Sequence, residues 1–257
     1  MAMTKPQGPA AKAAEAAPTS NTTVVGRKAA PRAGLAAFWH SSIGKKWVMA
    51  VTGLLFVLFL LFHMFGNLKV FFGPDTFNEY AGWLRTFGDP VLHGDWFLWI
   101  LRFILVVAIA LHLTAAFQLW LRDRRARPIR YASGQRPQAN LDRLTTVYGG
   151  IVVVAFLVWH LLDLTAGAIG STHFQEGNAY QNVYNDFQHW WANLIYIVAV
   201  AVLGLHINHG FWSASQTLGL NNPRRDVAIK ATGSLLAVLI AVGFMMIPIG
   251  VMTGIVK

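Results

Sequence analysis

Five long apolar runs dominate this sequence of 257 residues and restrict what the chain can fold into. Each run is long enough to cross a bilayer as a helix, which needs about 20 residues. Only helices and closed barrels satisfy the backbone in lipid, and runs of this length are helical rather than strand-like. We therefore predict an all-α membrane protein with five transmembrane helices. The predicted helices cover residues 47–72, 96–121, 144–168, 191–215 and 231–255.

The first 40 residues have a different composition, rich in Ala, Pro, Ser and Thr with scattered charges. They contain no apolar stretch of the kind that a secretory signal peptide needs. Such a segment cannot form a hydrophobic core. We expect residues 1–40 to be a flexible cytoplasmic tail and residues 41–257 to form the membrane domain.

Basic residues set the expected orientation. Most of the 21 lysines and arginines lie before the first run, between the second and third runs, or between the fourth and fifth runs. These segments share one side of the membrane, so we expect a cell-membrane protein with its N-terminus in the cytoplasm and its C-terminus outside. Topology alone accounts for the net charge of +10, and no nucleic acid partner is needed.

Four of the five runs contain one histidine at depth, namely His63, His112, His160 and His206. At 1.5 Å per residue, His63 and His160 lie about 24 Å from the inner end of their helices, whereas His112 and His206 lie about 23 Å from the outer end. The rings therefore form an outer pair, His63 with His160, and an inner pair, His112 with His206. His209 shares a helix face with His206, and spacing does not separate the two.

Paired imidazoles at one depth on facing helices suit the two axial positions of a six-coordinate haem. The interior of a helix bundle is the usual place for such a site. We therefore expect the first four helices to form a haem-binding bundle with two b haems. A histidine pair leaves no open position on the iron, which favours electron transfer over oxygen chemistry. The other ring nitrogen of each histidine can donate to a carbonyl of its own helix, and small residues such as Gly66, Gly204 and Gly210 can make room for the macrocycle.

Haem propionates need cationic or hydrogen-bonding partners. Arg102 is a candidate for the outer haem, and an arginine at the membrane interface is the equally simple alternative. Lys45 and Ser42 are candidates for the inner haem, although inner-face charge explains Lys45 as well. His209 is a further candidate for a propionate contact.

The apolar runs and their flanks resemble a known family. The chain from Ser41 onward is similar to the cytochrome b subunit of succinate dehydrogenases, in the five-helix, two-haem group shared with fumarate reductases. The resemblance is carried by SSIGKKWVMAVTGLLFVLFLLFHMFGNL, WILRFILVVAIALHLTAAF, LVWHLLDLTAG and LHINHGFWS. It implies that helices one and three share one haem and helices two and four the other. It also implies that His206, rather than His209, is the ligand.

The resemblance implies a membrane anchor of succinate:quinone oxidoreductase, the respiratory complex II of the tricarboxylic acid cycle. Its partners would be a flavoprotein subunit with FAD and an iron–sulfur subunit, and its substrate would be a quinone, menaquinone in the two-haem type. The chain has no cysteine and no dinucleotide-binding motif, so we expect FAD and the iron–sulfur clusters to lie in the partners.

Quinone reduction consumes protons, so a titratable group near the quinone is useful. The candidates on the outer side are Glu79, Asp163, Asp75 and His93. Asp163 is one helical turn from His160.

Two alternatives stay open on the sequence. A cytochrome b subunit of a hydrogenase or formate dehydrogenase would also carry membrane histidines. A transporter could line its path with histidines, although transporters often show internal repeats or broken helices. Here Pro248 is the only proline deep in a predicted span, and no repeat is evident.

Overall fold

A computed structural model of the chain describes residues 34–126, 144–170 and 174–257. The described residues form helices and helical turns, with no strand among them. Five helical segments are long and apolar enough to cross a membrane, which confirms the predicted number of spans and the all-helical class. These segments are Ser42–Phe72, Trp96–Ala126, Thr146–Thr165, Trp190–Thr217 and Asp226–Met252.

Eight α-helices and three tighter or wider helical turns build the described chain. A 3₁₀ turn, Lys69–Phe72, extends α2, and π-helical turns, Leu144–Tyr148 and Leu161–Thr165, flank α5. The helices are α1 (Leu35–His40), α2 (Ser42–Leu68), α3 (Pro74–Thr86), α4 (Trp96–Ala126), α5 (Gly149–His160), α6 (Ala179–Phe187), α7 (Trp190–Thr217) and α8 (Asp226–Met252).

A short helix precedes the first span. Residues Leu35–His40 form α1, which lies inside the segment expected to be a flexible tail. Ser41 separates α1 from α2 because it adopts an extended backbone and its Oγ accepts a hydrogen bond from the Gly44 amide at 2.8 Å. The rest of the predicted tail, residues 1–33, lies outside the described residues, and the predicted boundary at residues 40 and 41 stays a prediction.

The first four spans form a bundle, and the fifth span, α8, packs on one side of it. Helix α2 packs on α4, α7 and α8, and α5 packs on α7. In the described part of the chain, α2 and α5 do not pack closely on each other, and neither do α4 and α7. In the same described part, α4 and α5 do not pack closely on each other either, so the four spans make contact in the order α4, α2, α7 and α5. We call the two pairs α2 with α5 and α4 with α7 the diagonals of the bundle. Helix α8 packs against α7, where Gly204 and Gly233 allow close approach.

One end of the bundle, which we call the α6 end, is covered by α3, α6 and the C-terminal residues. A buried cluster that includes Val70, Phe77, Val183 and Tyr196 joins these elements to the spans. The Tyr180 hydroxyl donates to the Lys257 carbonyl at 2.7 Å, which ties α6 to the C-terminus. The α6 end is therefore a packed cap over the first histidine pair.

Candidate cofactor site

His63 on α2 and His160 at the end of α5 face each other across one diagonal of the bundle. Their ring centroids are 6.0 Å apart, and the ring planes are nearly perpendicular, at 79°. Phe59 stacks on the His63 ring at 5.2 Å, and Phe156 stacks on the His160 ring at 5.8 Å. The structure therefore brings together the first predicted pair and holds each ring against an aromatic neighbour on its own helix.

His112 on α4 and His206 on α7 lie on the second diagonal. A glycine of a neighbouring span lies beside each ring. A Cβ atom on Gly53 would be 3.7 Å from Cε1 of His112, and one on Gly150 would be 3.7 Å from Cε1 of His206. Any side chain larger than that of alanine at either position would reach the imidazole, so these two glycines keep space beside the second pair.

The separation of the first pair can be compared with what one iron needs. An imidazole nitrogen binds a metal ion at about 2 Å, and the centre of the ring lies about 1 Å behind that nitrogen. Two rings on opposite sides of one iron therefore have centres about 6 Å apart. The 6.0 Å between His63 and His160 is this spacing. Among the described residues, no group of three or more His, Asp or Glu side chains could hold a bare metal ion.

Thr52 determines which nitrogen of His112 is available to a metal. The Thr52 hydroxyl donates its one hydrogen to the Val48 carbonyl at 2.6 Å, and its oxygen is 2.9 Å from Nδ1 of His112. Because that hydrogen is already used, the hydroxyl accepts from the His112 ring. Nδ1 therefore carries the hydrogen, and Nε2 keeps the lone pair that a metal ion binds.

Tyr196 has the same effect on His160. Its hydroxyl donates to Oδ2 of Asp163 at 3.0 Å and lies 3.2 Å from Nδ1 of His160. The tyrosine oxygen then accepts from Nδ1, which again leaves Nε2 with the lone pair. Both partners lie on other helices, whereas we expected carbonyls one turn back in the same helix. This contact between histidine, hydroxyl and carboxylate is the type of outer support that orients metal-binding imidazoles.

The glycines named from the sequence, Gly66, Gly204 and Gly210, do not lie beside a histidine ring. A Cβ atom on Gly66 would collide with the Tyr80 ring, so Gly66 makes room for α3. Gly204 faces Ala241 and the backbone of α8, and nothing lies within 4 Å of a Cβ atom placed on Gly210. The glycines beside the histidine rings are instead Gly53 and Gly150.

The candidate propionate contacts fall in different surroundings. Arg102 is exposed and its guanidinium stacks on Trp99 at 5.0 Å, which is how an arginine at a membrane interface behaves. Lys45 is buried, and its Nζ donates to the Trp39 carbonyl at 2.8 Å, while Ser42 is exposed. His209 is half-buried, 6.5 Å from Trp212 on the same helix. Their role as propionate partners stays a prediction.

Only one of the four candidate quinone-site groups is near a histidine pair. Glu79, Asp75 and His93 are exposed, whereas Asp163 is 3% exposed and hydrogen-bonded to Tyr196. The π-helical turn Leu161–Thr165 carries Asp163, and such turns often occur at functional sites. Asp163 is therefore the candidate that the fold places next to the first pair.

Asp186 on α6 joins this group, and the sequence analysis missed it. Its side chain is fully buried, and its Oδ1 lies beside Gly170 together with Oδ1 of Asp163. Burial, followed by the nearby Asp163 charge, raises the pKa of Asp186 to about 7. A small cavity of about 10 Å³, close to the room that one water molecule needs, lies against both carboxyl groups. Its other lining residues are Leu164, Phe174 and Asn182.

Comparisons with known proteins add nothing to this geometry. The chain matches no protein-family model, no curated protein and no solved structure.

Proposed function

We propose that this chain is the membrane-anchor cytochrome b subunit of a succinate:quinone oxidoreductase, with two b haems that serve electron transfer between a soluble iron–sulfur partner and a quinone in the lipid. The observation that carries the proposal is the pairing of four histidines across the two diagonals of one helix bundle. One pair has its ring centres 6.0 Å apart, the separation expected for two ligands of one iron.

The hydrogen bonds to the histidines support a ligand role over a merely structural one. In a structural role, either ring nitrogen could carry the hydrogen. Here hydroxyl groups whose own hydrogens are used elsewhere hold Nδ1 of His112 and of His160 as donors. Nε2 of both rings therefore keeps its lone pair, as metal ligation requires.

The proposed assignment places His63 and His160 at the outer haem and His112 and His206 at the inner haem. When bound, a haem with two imidazole ligands supplies reversible one-electron transfer without an open position for oxygen. The chain's own residues hold the axial nitrogens, fix their tautomers through Thr52 and Tyr196, and surround the rings with apolar helices.

The choice of enzyme rests on the resemblance of the span motifs to succinate dehydrogenase and fumarate reductase cytochromes. The basic segments on the α1 side of the bundle suit the docking of an acidic soluble partner, and they include the exposed Arg124 and Arg125 at the end of α4. In this assignment the α1 end faces the cytoplasm, the flavoprotein and iron–sulfur subunits dock there, and the α6 end lies on the outer side.

The first test is the haem content of the purified chain in detergent, measured by a reduced-minus-oxidised spectrum and pyridine haemochrome quantitation. We expect two b haems per chain. His63→Ala or His160→Ala should remove one haem, and His112→Ala or His206→Ala should remove the other. His40→Ala is the matched control, because His40 is exposed and outside the bundle interior. His209→Ala should also retain both haems.

The second test separates succinate oxidation from other electron-transfer enzymes. Membranes that contain the complete complex should reduce a menaquinone analogue with succinate, and this activity should fall in the His63→Ala and His112→Ala variants. Two haems without succinate activity would favour a hydrogenase or formate dehydrogenase type of cytochrome. A folded chain that binds no haem, from cells with adequate iron, would refute the proposal and leave the transporter alternative.

A further inference from the structure

Two aspartates lie side by side in the interior of the α6 end, on elements that are far apart in sequence. Asp163 follows α5, and Asp186 is near the end of α6. Their side chains are 3% and 0% exposed. A Cβ atom placed on Gly170 would collide with Oδ1 of Asp163 and lie 3.4 Å from Oδ1 of Asp186, and both residues line one small cavity, so the two carboxyl groups are close neighbours. Two buried carboxylates that both carry a full charge would repel strongly, so this placement needs an explanation.

A single shared proton explains the placement. Within the described residues, neither oxygen of Asp186 receives a hydrogen bond from a donor group. A carboxylate can only accept, whereas a protonated carboxyl group also donates. One proton held between Asp163 and Asp186 therefore supplies the missing donor and leaves the pair with one negative charge rather than two.

The surroundings of the pair are neutral in the described chain. No lysine or arginine there makes a salt bridge to either carboxyl group. Two buried asparagines close by, Asn182 on α6 and Asn193 on α7, use their amides elsewhere. Asn182 bonds to the backbone of Gln175, and Asn193 donates to the Phe187 carbonyl at 2.8 Å. Among the residues that the structure describes, the titratable groups that face the pair are the Tyr196 hydroxyl on α7 and, through it, His160.

The pair has contacts on both sides that suit proton exchange. On one side Tyr196 links Asp163 to His160 by hydrogen bonds of 3.0 and 3.2 Å. On the other side is the small cavity, whose rim residue Phe174 is 37% exposed. Gly170, with a φ of 85°, lies against both carboxyl groups where no Cβ atom would fit, so the loop closes tightly over them.

We propose that Asp163 and Asp186 form a proton-exchange site that holds one proton while the metal site at His63 and His160 is oxidised and binds a second proton when that site gains an electron. The second proton comes from water at the α6 end through the cavity beside Phe174, and one new O–H bond forms on the carboxylate. The electron comes from the iron–sulfur partner in the complex or from a chemical reductant in the test. The second proton removes the remaining negative charge of the pair, and its positive charge compensates the charge of the added electron.

This inference rests on the proposed function because it needs a redox group at His160, so haem content is measured first. The test is a redox titration of the haems in wild-type protein and in Asp186→Asn at several pH values around neutrality. One pH unit is a tenfold change in proton concentration, which for one proton per electron lowers the potential by about 59 mV. We expect wild type to approach this slope at the outer haem, whereas Asp186→Asn should lose most of it and the inner haem should change little in either protein.

Two further variants sharpen the result. Tyr196→Phe keeps the ring but removes the hydroxyl link, and it should also reduce the slope at the outer haem. Glu176→Gln removes an exposed acid at the same end and should leave the slope unchanged. A wild-type slope in Asp186→Asn that has both haems would overturn the proposal.

An infrared measurement covers the case in which Asp186→Asn does not bind haem. The wild-type reduced-minus-oxidised difference spectrum should show the carbonyl stretch of a newly protonated carboxyl group, shifted in D₂O. Absence of that band in wild type with two haems would refute proton exchange at the pair. Absence of haem from folded wild-type protein would instead refute the proposed function, so the two failures are distinguishable.

Discussion

Replacing Thr52 tests whether its hydroxyl supports His112 as a ligand of the proposed inner haem. Thr52 is 7% exposed, and its hydroxyl accepts from Nδ1 of His112 at 2.9 Å. Thr52→Val has nearly the same shape but cannot accept this bond. A buried donor left without its acceptor costs about 1–3 kcal/mol.

The expected cost lies toward the lower end of this range because a second acceptor is close. The Met49 carbonyl also lies within hydrogen-bonding reach of the His112 ring. We therefore expect about 1.4 kcal/mol, which is a tenfold loss of haem affinity. This agrees with the loss of about 10–100-fold that is usual when a residue supporting a metal ligand is replaced.

The assay is the rate at which purified protein loses haem to an excess of a haem-scavenging protein. Thr52→Val should lose its inner haem about ten times faster than wild type, whereas Thr52→Ser should behave like wild type. Thr114→Val is the matched control, because Thr114 lies on the same helix as His112 and its hydroxyl donates only to the Ala110 carbonyl at 2.7 Å. The tautomer argument is refuted if Thr52→Val retains the inner haem as well as Thr114→Val does.

Four other outcomes follow from single positions. Gly53→Ala should retain both haems, because its Cβ would sit 3.7 Å from His112, while Gly53→Leu should displace the ring and halve the pyridine haemochrome yield. Arg102→Gln should leave haem content and both potentials unchanged, since the exposed guanidinium stacks on Trp99, and a shifted outer-haem potential would instead restore its role as a propionate partner. Ile240→Ala, at a fully buried position between α8 and its neighbours, should lower stability by about 2–5 kcal/mol, measured by thermal unfolding in detergent. Burial raises the pKa of Asp186 to about 7 from about 3.9 in the unfolded chain, so the folded state binds this proton more tightly than the unfolded state does. The free energy of unfolding should therefore fall as pH rises from about 4 through 7. Melting curves of Asp186→Asn should lack this pH-dependent component.

The five spans were predictable because the length and polarity of a membrane helix are local properties of the sequence. The predicted and observed segments overlap throughout, although the first begins at Ser42 and the last begins at Asp226 and ends at Met252. Their ends differ because capping and packing, rather than hydropathy, decide where a helix stops. Leu35–His40 shows the same effect, since a short helix beside Ser41 lies in a segment whose composition alone predicts no structure.

The histidine pairs were also predictable, because depth in a membrane follows from counting residues along each helix at a fixed rise. Counting gives the height of a residue but not the neighbour that it faces. The direction of a side chain depends on how each helix is rotated in the bundle, and that is settled only when all the helices pack. For this reason the sequence analysis placed His63 with His160 but did not identify Tyr196 as the partner of the His160 ring.

The chain's sequence by itself therefore determined the number of spans and the approach of His63 to His160, whereas the second histidine layer and the orientation stay predictions. The tertiary structure alone decided that Thr52 and Tyr196 select the ring nitrogens, that Gly53 and Gly150 lie beside the second pair, and that Asp186 meets Asp163. The length of an apolar run and the rise per residue of a helix are properties along the chain, so both can be evaluated residue by residue from the sequence. Contacts between groups on different helices depend on rotation and on loop closure, which become definite only in the packed bundle.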